Sequence, residues 1–257
     1  MTAGLTLAGV SRNFGGLRAV SDMSFETARG EIFGVIGPNG AGKTTLFNVI
    51  AGVHPASDGR ISFYGKEITG SRSDRVSRLG IARTFQATNV FKEESVSENL
   101  RRGALFGEIH SPLAFLRRCF AGRAPAATRP DIDEIAAFIG LADQMGKPAG
   151  SLAYGLQKIL GVGMALMQRP RLMLMDEPAA GLNPTEKTVM AALIARLRDE
   201  RGIDVLVVEH DMKLIMSICD RILVVRQGCR IALGTPEAIQ ADQAVIEAYL
   251  GADYEFA

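Results

Sequence analysis

Residues 31–44 read EIFGVIGPNGAGKT, and this stretch combines the sequence signals of a strand, a glycine-rich loop and the start of a helix. It opens with a short apolar run, typical of a buried strand, that stops at Gly37-Pro38. Beyond Lys43, apolar residues recur at helical spacing until His54-Pro55 ends the pattern. We therefore predict a strand, a glycine-rich loop and a helix in immediate succession.

The loop between this strand and helix is suited to binding phosphate. It fits the pattern G-x-x-x-x-G-K-[ST], in which glycines let backbone N–H groups close around an anion. The helix N-terminus adds partial positive charge, Lys43 can reach β- and γ-phosphates, and the Thr44 hydroxyl can bind Mg²⁺. The flanking strand and helix disfavour the alternative, a glycine-rich turn with a chance lysine. The residues predicted to bind nucleotide here are Gly37, Pro38, Asn39, Gly40, Ala41, Gly42, Lys43, Thr44 and Thr45.

A second apolar strand ends in two carboxylates. Residues 172–175 lead directly into Asp176 and Glu177, and ligand groups collect at the C-terminal ends of parallel strands. Asp176 can hold Mg²⁺ through water, and Glu177 can position or deprotonate a water that attacks the γ-phosphate. By itself this pattern fits an ordinary charged turn, but after a phosphate-binding loop it indicates a metal ligand and a catalytic base.

Two further polar residues are ambiguous on spacing alone. His210 follows the strand-like run 205–209 and can hydrogen-bond both a γ-phosphate and Glu177, yet a lone histidine is more often a surface side chain. Gln86 follows residues 81–85 and can equally be an ordinary loop amide. The spacing leaves both alternatives open.

Strand-like and amphipathic helical segments alternate along the chain, which predicts an α/β protein with a mainly parallel sheet. The clearest helix start has Asn183 as its cap, Pro184 at the first position and Glu186 three residues after the cap. An arginine-rich segment, 87–150, is predicted to be a mostly helical insertion with an irregular loop at 122–130.

Bulk properties exclude several classes of function. The net charge is +1 and no basic run is interleaved with aromatics, so nothing indicates nucleic acid binding. Three widely spaced cysteines form no metal or disulfide pattern, which fits a reducing cytoplasm. The N-terminus lacks a signal-peptide layout, and the apolar stretch 159–167 is shorter than the roughly 20 residues that span a bilayer. Any role at a membrane is therefore expected to depend on a partner.

In combination, the order of the motifs resembles the ABC ATPase family along nearly the whole chain. The resemblance implies a P-loop NTPase (RecA-like) core with a mainly parallel sheet, an N-terminal antiparallel β subdomain and an inserted helical subdomain. It implies that Gln86 touches Mg²⁺ and the attacking water, that His210 is the switch histidine, and that Phe14 and Val20 contact the nucleotide, with Phe14 stacking on adenine. The matching motifs are Walker A (37–44), the Q-loop (Gln86), the signature (152–156), Walker B with the catalytic glutamate (176–177), the D-loop (180–183) and His210.

The resemblance also implies partners and cofactors. The family binds ATP and Mg²⁺, and its signature contacts ATP held by a second ATPase subunit, in a homodimer or a heterodimer. This places Gly155 against the partner's nucleotide in a head-to-tail dimer. Permease subunits in the membrane, docked around residues 88–102, would hold the protein at the cytoplasmic face of the inner membrane. The implied parts are a first core segment (1–86), the helical insertion (87–157), a second core segment (158–236) and a C-terminal helical tail (237–257).

More narrowly, the chain resembles the ATP-binding subunits of branched-chain amino acid importers in four stretches: residues 14–20, 152–155, 209–215 and 245–251. Two alternatives stay open: an export ATPase of the lipopolysaccharide-transport type, and a nucleotide-gated regulatory protein with little turnover. The signature departs from the family, with Ala153 at the serine position and Leu156 at the glutamine position. Each lost hydrogen bond to a charged phosphate is worth about 1.5–3 kcal/mol. We therefore hypothesise two unequal ATP sites, with the slower one completed by this chain's signature.

Overall fold

The computed structural model describes residues 3–84, 90–108 and 132–250. The strands in these ranges are β1 (Ala3–Phe14), β2 (Leu17–Ala28), β3 (Ile32–Ile36), β4 (Asp58–Phe63), β5 (Lys66–Glu67), β6 (Ile81–Thr84), β7 (Leu172–Asp176), β8 (Asp204–Val208), β9 (Arg221–Arg226) and β10 (Cys229–Gly234). The α-helices are α1 (Lys43–Ile50), α2 (Ser73–Arg78), α3 (Val96–Glu108), α4 (Ile132–Phe138), α5 (Tyr154–Leu166), α6 (Pro184–Asp199), α7 (Met212–Ile218), α8 (Pro236–Ala241) and α9 (Gln243–Leu250). Gln86 and the predicted loop at 122–130 lie outside the described residues.

The strands form two sheets. Four of them make an antiparallel sheet in the order β2-β1-β4-β5. The other six have the order β10-β9-β3-β8-β7-β6, and every neighbouring pair is parallel except β10 with β9 at one edge. This confirms the predicted α/β class, the mainly parallel sheet and the N-terminal antiparallel sheet.

Both faces of the parallel sheet are buried, as its strands' continuous apolar runs predict. Side chains on β3 alternate between two cores: Ile32 and Ile36 belong to one, and Phe33 and Val35 to the other. The second core fills the space between the two sheets and includes Phe47 and its neighbours on α1. The loop that joins β3 to α1 is thus anchored at both ends by buried side chains.

The first core joins the sheet to α3, α4 and α5. Helices α3 and α5 approach so closely that a Cβ on Gly103 would lie 2.4 Å from the Met164 carbonyl oxygen. Helices α3 and α4 lie within the segment predicted to be a helical insertion. No helix in the described part of the chain is both long and apolar enough to cross a bilayer.

The predicted start of α6 is confirmed in detail. The Asn183 side chain accepts a hydrogen bond from the Glu186 N–H at 2.9 Å, and Glu186 Oε2 accepts one from the Asn183 N–H at 3.0 Å. This reciprocal capping box fixes where the chain re-enters a helix after the carboxylates of β7.

Candidate active site

The glycine-rich loop spans residues 37–42, between the end of β3 and the start of α1. Gly42 has a φ of 101°, and a Cβ there would lie 2.2 Å from the Ala19 carbonyl oxygen. A Cβ on Gly37 would lie 2.0 Å from the Val225 carbonyl oxygen. Only glycine fits either position, so the sequence pattern follows from how tightly the loop is held below the helix N-terminus.

Lys43 lies across this loop. Its Nζ donates hydrogen bonds to the carbonyl oxygens of Gly37 at 2.6 Å and Pro38 at 3.0 Å. Burial lowers the pKa of Lys43, and the negative charges of Glu177 and Asp176 oppose that shift. The lysine is therefore a buried cation that faces two carboxylates from a distant part of the sequence.

One open cavity of about 410 Å³ joins the loop to those distant residues. Its lining includes Glu177 and His210, which are separated from the loop by more than a hundred residues. The residues lining the cavity are Leu17, Arg18, Ala19, Asn39, Gly40, Ala41, Gly42, Lys43, Thr44, Thr45, Glu177, His210, Gln227 and Gly228. Three of the predicted motifs therefore meet at a single cavity.

Glu177 and His210 form a pair at one side of the cavity. The Glu177 Oε1 and His210 Nε2 atoms are 2.9 Å apart. Glu177 has a φ of 49°, a backbone conformation that costs about 1–3 kcal/mol for a residue other than glycine. Its N–H donates to the Val208 carbonyl oxygen at 2.9 Å, and its own carbonyl oxygen accepts from Lys158 Nζ at 2.9 Å. Such strain is typical of functional residues whose orientation is imposed by their surroundings.

The buried carboxylate of Glu209 fixes the segments that carry this pair. It accepts hydrogen bonds from the Ala179 N–H at 2.6 Å and the His210 N–H at 3.0 Å. Burial raises the pKa of Glu209, and these backbone hydrogen bonds oppose the shift. Glu209 thus ties the chain just after Glu177 to the backbone of His210.

Asp176 is almost completely buried, with 3% of its surface exposed. Its Oδ2 forms a salt bridge of 2.7 Å with an Arg83 guanidinium nitrogen, and Arg83 also donates to Asn48 Oδ1 at 2.5 Å. Its Oδ1 is buried and has no hydrogen-bond partner among the described residues. A buried carboxylate oxygen without a partner fits an additional donor or cation.

Mg²⁺ at this site would need ligands from water and substrate phosphates in addition to those from the protein. The described ranges contain no group of three or more His, Cys, Asp or Glu side chains arranged to hold a metal ion. Mg²⁺ commonly binds through one or two protein oxygens together with water and substrate phosphates. The buried Asp176 carboxylate and the Thr44 hydroxyl, which lines the cavity, offer oxygen atoms of the kind that this mode of binding uses.

Besides Asp176, five described residues that were predicted for the site do not line the cavity: Gly37 and Pro38 at the start of the loop, and Phe14, Val20 and Gly155. Phe14 is 40% exposed, packs edge-on against His54 with ring centroids 5.3 Å apart, and lies below the Arg12 guanidinium. Val20 is buried in the core between the sheets, and its neighbour Ala19 lines the cavity instead. Gly155 lies on α5, where a Cβ would be 2.7 Å from Glu186 Oε1.

Some residues at the site were not predicted. Arg83 is the penultimate residue of β6, which pairs in parallel with β7, so it lies near the same edge of the sheet as Asp176. Gln227 and Gly228 form the turn between β9 and β10, and both have positive φ; of the two, only the glycine is a sequence signal for such a turn. Lys158 had no recognisable signal, because its contact with Glu177 depends on how α5 packs.

Known proteins resemble this chain over most of its length. A sequence model of the ABC transporter family matches residues 20–180, and one described as branched-chain amino acid ATP-binding cassette transporter matches residues 229–255. The high-affinity branched-chain amino acid transport ATP-binding protein BraF of Pseudomonas aeruginosa is 42% identical, over 96% of this chain and 97% of the relative. The corresponding protein LivG of Escherichia coli is 40% identical, over 96% of this chain and 97% of the relative.

Solved structures agree with these sequence relatives. The ADP conformation of an ATP-binding cassette from an ABC transporter superposes with a TM-score of 0.84 and 31% identity, covering 98% of this chain and 100% of that one. Because one family model matches more than half of the chain and relatives at 40–42% identity span nearly all of it, this protein belongs to the ATP-binding family of ABC transporters.

Proposed function

We propose that this protein hydrolyses ATP to drive an importer of branched-chain or related amino acids. The observation that carries the proposal is the single cavity lined by the phosphate loop, Glu177 and His210. The transport of branched-chain amino acids by the relatives BraF and LivG, as their names state it, favours amino acid import over the lipopolysaccharide-export alternative. The close contact of Glu177 with His210 favours turnover over a regulatory role with little hydrolysis.

The cavity suggests how each side chain would act on a bound triphosphate. Backbone N–H groups at the start of α1 and the Lys43 ammonium bind the phosphate oxygens. Glu177 orients a water molecule and accepts its proton as the water oxygen attacks the γ-phosphorus and the bond to the ADP oxygen breaks. His210 holds the Glu177 carboxylate and can also hydrogen-bond the γ-phosphate. Asp176 and the Thr44 hydroxyl would hold Mg²⁺, which would supply positive charge to neutralise the phosphates.

The proposed function requires a second ATPase subunit and permease subunits as partners. The protein pairs head to tail with a second ATPase subunit, so that Gly155 at the start of α5 faces the partner's ATP. Tyr154, beside it, is 45% exposed and gives that surface a large apolar side chain. Permease subunits hold the pair at the cytoplasmic face of the membrane, and Gln86 transmits the nucleotide state through the helical segment that follows it. We also propose that the chain consists of a first core segment (1–86), a helical insertion (87–157), a second core segment (158–236) and a C-terminal helical tail (237–257).

When the partner ATPase is a different chain, the two ATP sites of the proposed dimer are expected to differ. Ala153 caps α5 without a side-chain hydrogen bond, and Leu156 packs against the protein's own core. Neither side chain can donate to a partner's γ-phosphate, so we expect the site completed by this signature to be slower. Restoring donors with Ala153→Ser and Leu156→Gln should raise its single-turnover rate by about tenfold, roughly what one hydrogen bond to a charged group contributes. Equal rates in two separately blocked sites of the native dimer would contradict the hypothesis.

Uptake measurements in cells test the transport role. In cells that lack this gene, uptake of radiolabelled leucine, isoleucine and valine should fall, and the native gene should restore it. The Glu177→Gln gene should not restore uptake, because the importer would lack hydrolysis. Unchanged uptake of all three amino acids in the deletion strain would contradict the assigned substrate class.

A further inference from the structure

The ammonium group of Lys158 lies beneath the backbone of Glu177. Lys158 is on α5, one turn after Tyr154, and only 8% of its surface is exposed. Its Nζ donates a hydrogen bond of 2.9 Å to the Glu177 carbonyl oxygen. A buried lysine side chain that donates to a backbone carbonyl has a fixed position, because its charge must keep a partner.

This hydrogen bond helps to hold Glu177 in a backbone conformation with positive φ, which is unfavourable for a residue other than glycine. Glu177 has a φ of 49°, so its carboxylate direction depends on the groups that hold its peptide units. The peptide on one side is held by the hydrogen bond from its N–H to Val208, and the carbonyl on the other side accepts from Lys158 and, at 3.2 Å, from the Ala180 N–H. The bond to Ala180 closes a local turn, whereas the bond to Lys158 connects Glu177 to a different helix.

The charges around Lys158 also support a fixed position for its ammonium group. Burial lowers the pKa of Lys158, and the charges of Glu209 and Glu177 oppose that shift. Glu209 itself holds the backbone of Ala179 and His210. Lys158 is therefore the cation within a group of side chains that fixes both members of the Glu177–His210 pair.

We propose that Lys158 is a positioning residue for ATP hydrolysis: by holding the Glu177 carbonyl, it keeps the catalytic carboxylate aimed at His210 and the cavity. Because Lys158 lies on the helix that begins with the signature, it connects the surface facing the partner's nucleotide to the catalytic carboxylate of this chain's own site. A shift of α5 on binding the partner's ATP would thereby reach Glu177 directly. This inference rests on the catalytic role proposed for Glu177.

A double-mutant cycle on the full-length protein tests this inference. The Lys158→Met substitution keeps a side chain of similar length and removes the ammonium group that donates the hydrogen bond. It is expected to lower kcat for ATP hydrolysis about tenfold or more, the effect of losing one hydrogen bond from a charged group, and to leave the affinity for ATP within about twofold. Because Lys158 acts through Glu177, the same substitution should have no further effect on hydrolysis in a Glu177→Gln background. The matched control is Lys66→Met, on the exposed strand β5, which should leave both constants unchanged.

The outcomes separate positioning from simple structural support. Lys158→Arg, which retains a charged donor, should recover most of the lost kcat, and all soluble variants should bind ATP. If Lys158→Met does not fold, Lys158→Gln replaces it, and the same split between kcat and affinity is expected. An unchanged kcat, an equal loss of kcat and affinity, or losses that add to those of Glu177→Gln would overturn the inference. If Glu177→Gln alone leaves hydrolysis intact, the proposed function fails instead.

Discussion

The Glu177→Gln variant is expected to bind ATP about as well as the native protein but to hydrolyse it roughly 10²- to 10⁴-fold more slowly, the usual contribution of a general base. Glutamine preserves the shape of the side chain and can still hydrogen-bond His210 across the 2.9 Å contact. It cannot accept a proton from water. The measurement is steady-state release of phosphate alongside equilibrium binding of ATP.

A matched substitution separates this effect from a general loss of charge. Glu67→Gln, on the exposed strand β5, removes a carboxylate away from the cavity and should leave kcat and ATP affinity unchanged. If Glu177→Gln hydrolyses ATP at the native rate, Glu177 is not the base. The regulatory alternative would then regain support only if the native protein also turned over slowly.

The Lys43→Met variant is expected to lose ATP affinity by at least about tenfold. Each hydrogen bond from a charged donor to phosphate is worth about 1.5–3 kcal/mol, and 1.4 kcal/mol corresponds to a tenfold change in Kd. Methionine has a similar length but no charge, so two carboxylates, Asp176 and Glu177, would face the triphosphate without this cation. Titration with a fluorescent ATP analogue measures the loss directly.

Lys66→Met serves as the control for this substitution as well, and its Kd should equal that of the native protein. The thermal midpoints of Lys43→Met and native protein should also be compared, because Lys43 holds the Gly37 and Pro38 carbonyls. A folded Lys43→Met variant with native ATP affinity would contradict the assignment of the loop.

Much of the fold was predictable from local patterns. The apolar run before Gly37, the glycines and the helical spacing after Lys43 together specify one strand–loop–helix unit, and the structure places β3 and α1 there. The start of α6 was equally clear, because a capping box uses residues only three positions apart. Such signals lie within a few residues, so tertiary packing has little chance to alter them.

The site was predictable where strand ends carried it. Glu177 and His210 follow parallel strands that are neighbours in the sheet, β7 and β8, so their side chains meet at the same edge. Val20 illustrates the limit of such reasoning: it lies one residue from the cavity-lining Ala19, but strand alternation turns its side chain into the core.

Lys158 could not be found from the sequence, because the distance from its ammonium to the Glu177 carbonyl depends on how α5 packs in the fold. Its neighbours in sequence are Gln157 and Ile159, and neither gives a signal of a partner 19 positions away. Contacts of this kind, between a side chain and a backbone group of another element, depend on tertiary packing alone.

An experimental structure of the Glu177→Gln variant with ATP and Mg²⁺ tests most directly whether the triphosphate binds between the glycine-rich loop and the Glu177–His210 pair. We expect the triphosphate within the loop of residues 37–42, its γ-phosphate within hydrogen-bonding distance of Lys43 Nζ, and the side chains at 177 and 210 facing that phosphate. A nucleotide bound elsewhere, or a γ-phosphate more than one water molecule away from both of those side chains, would contradict it.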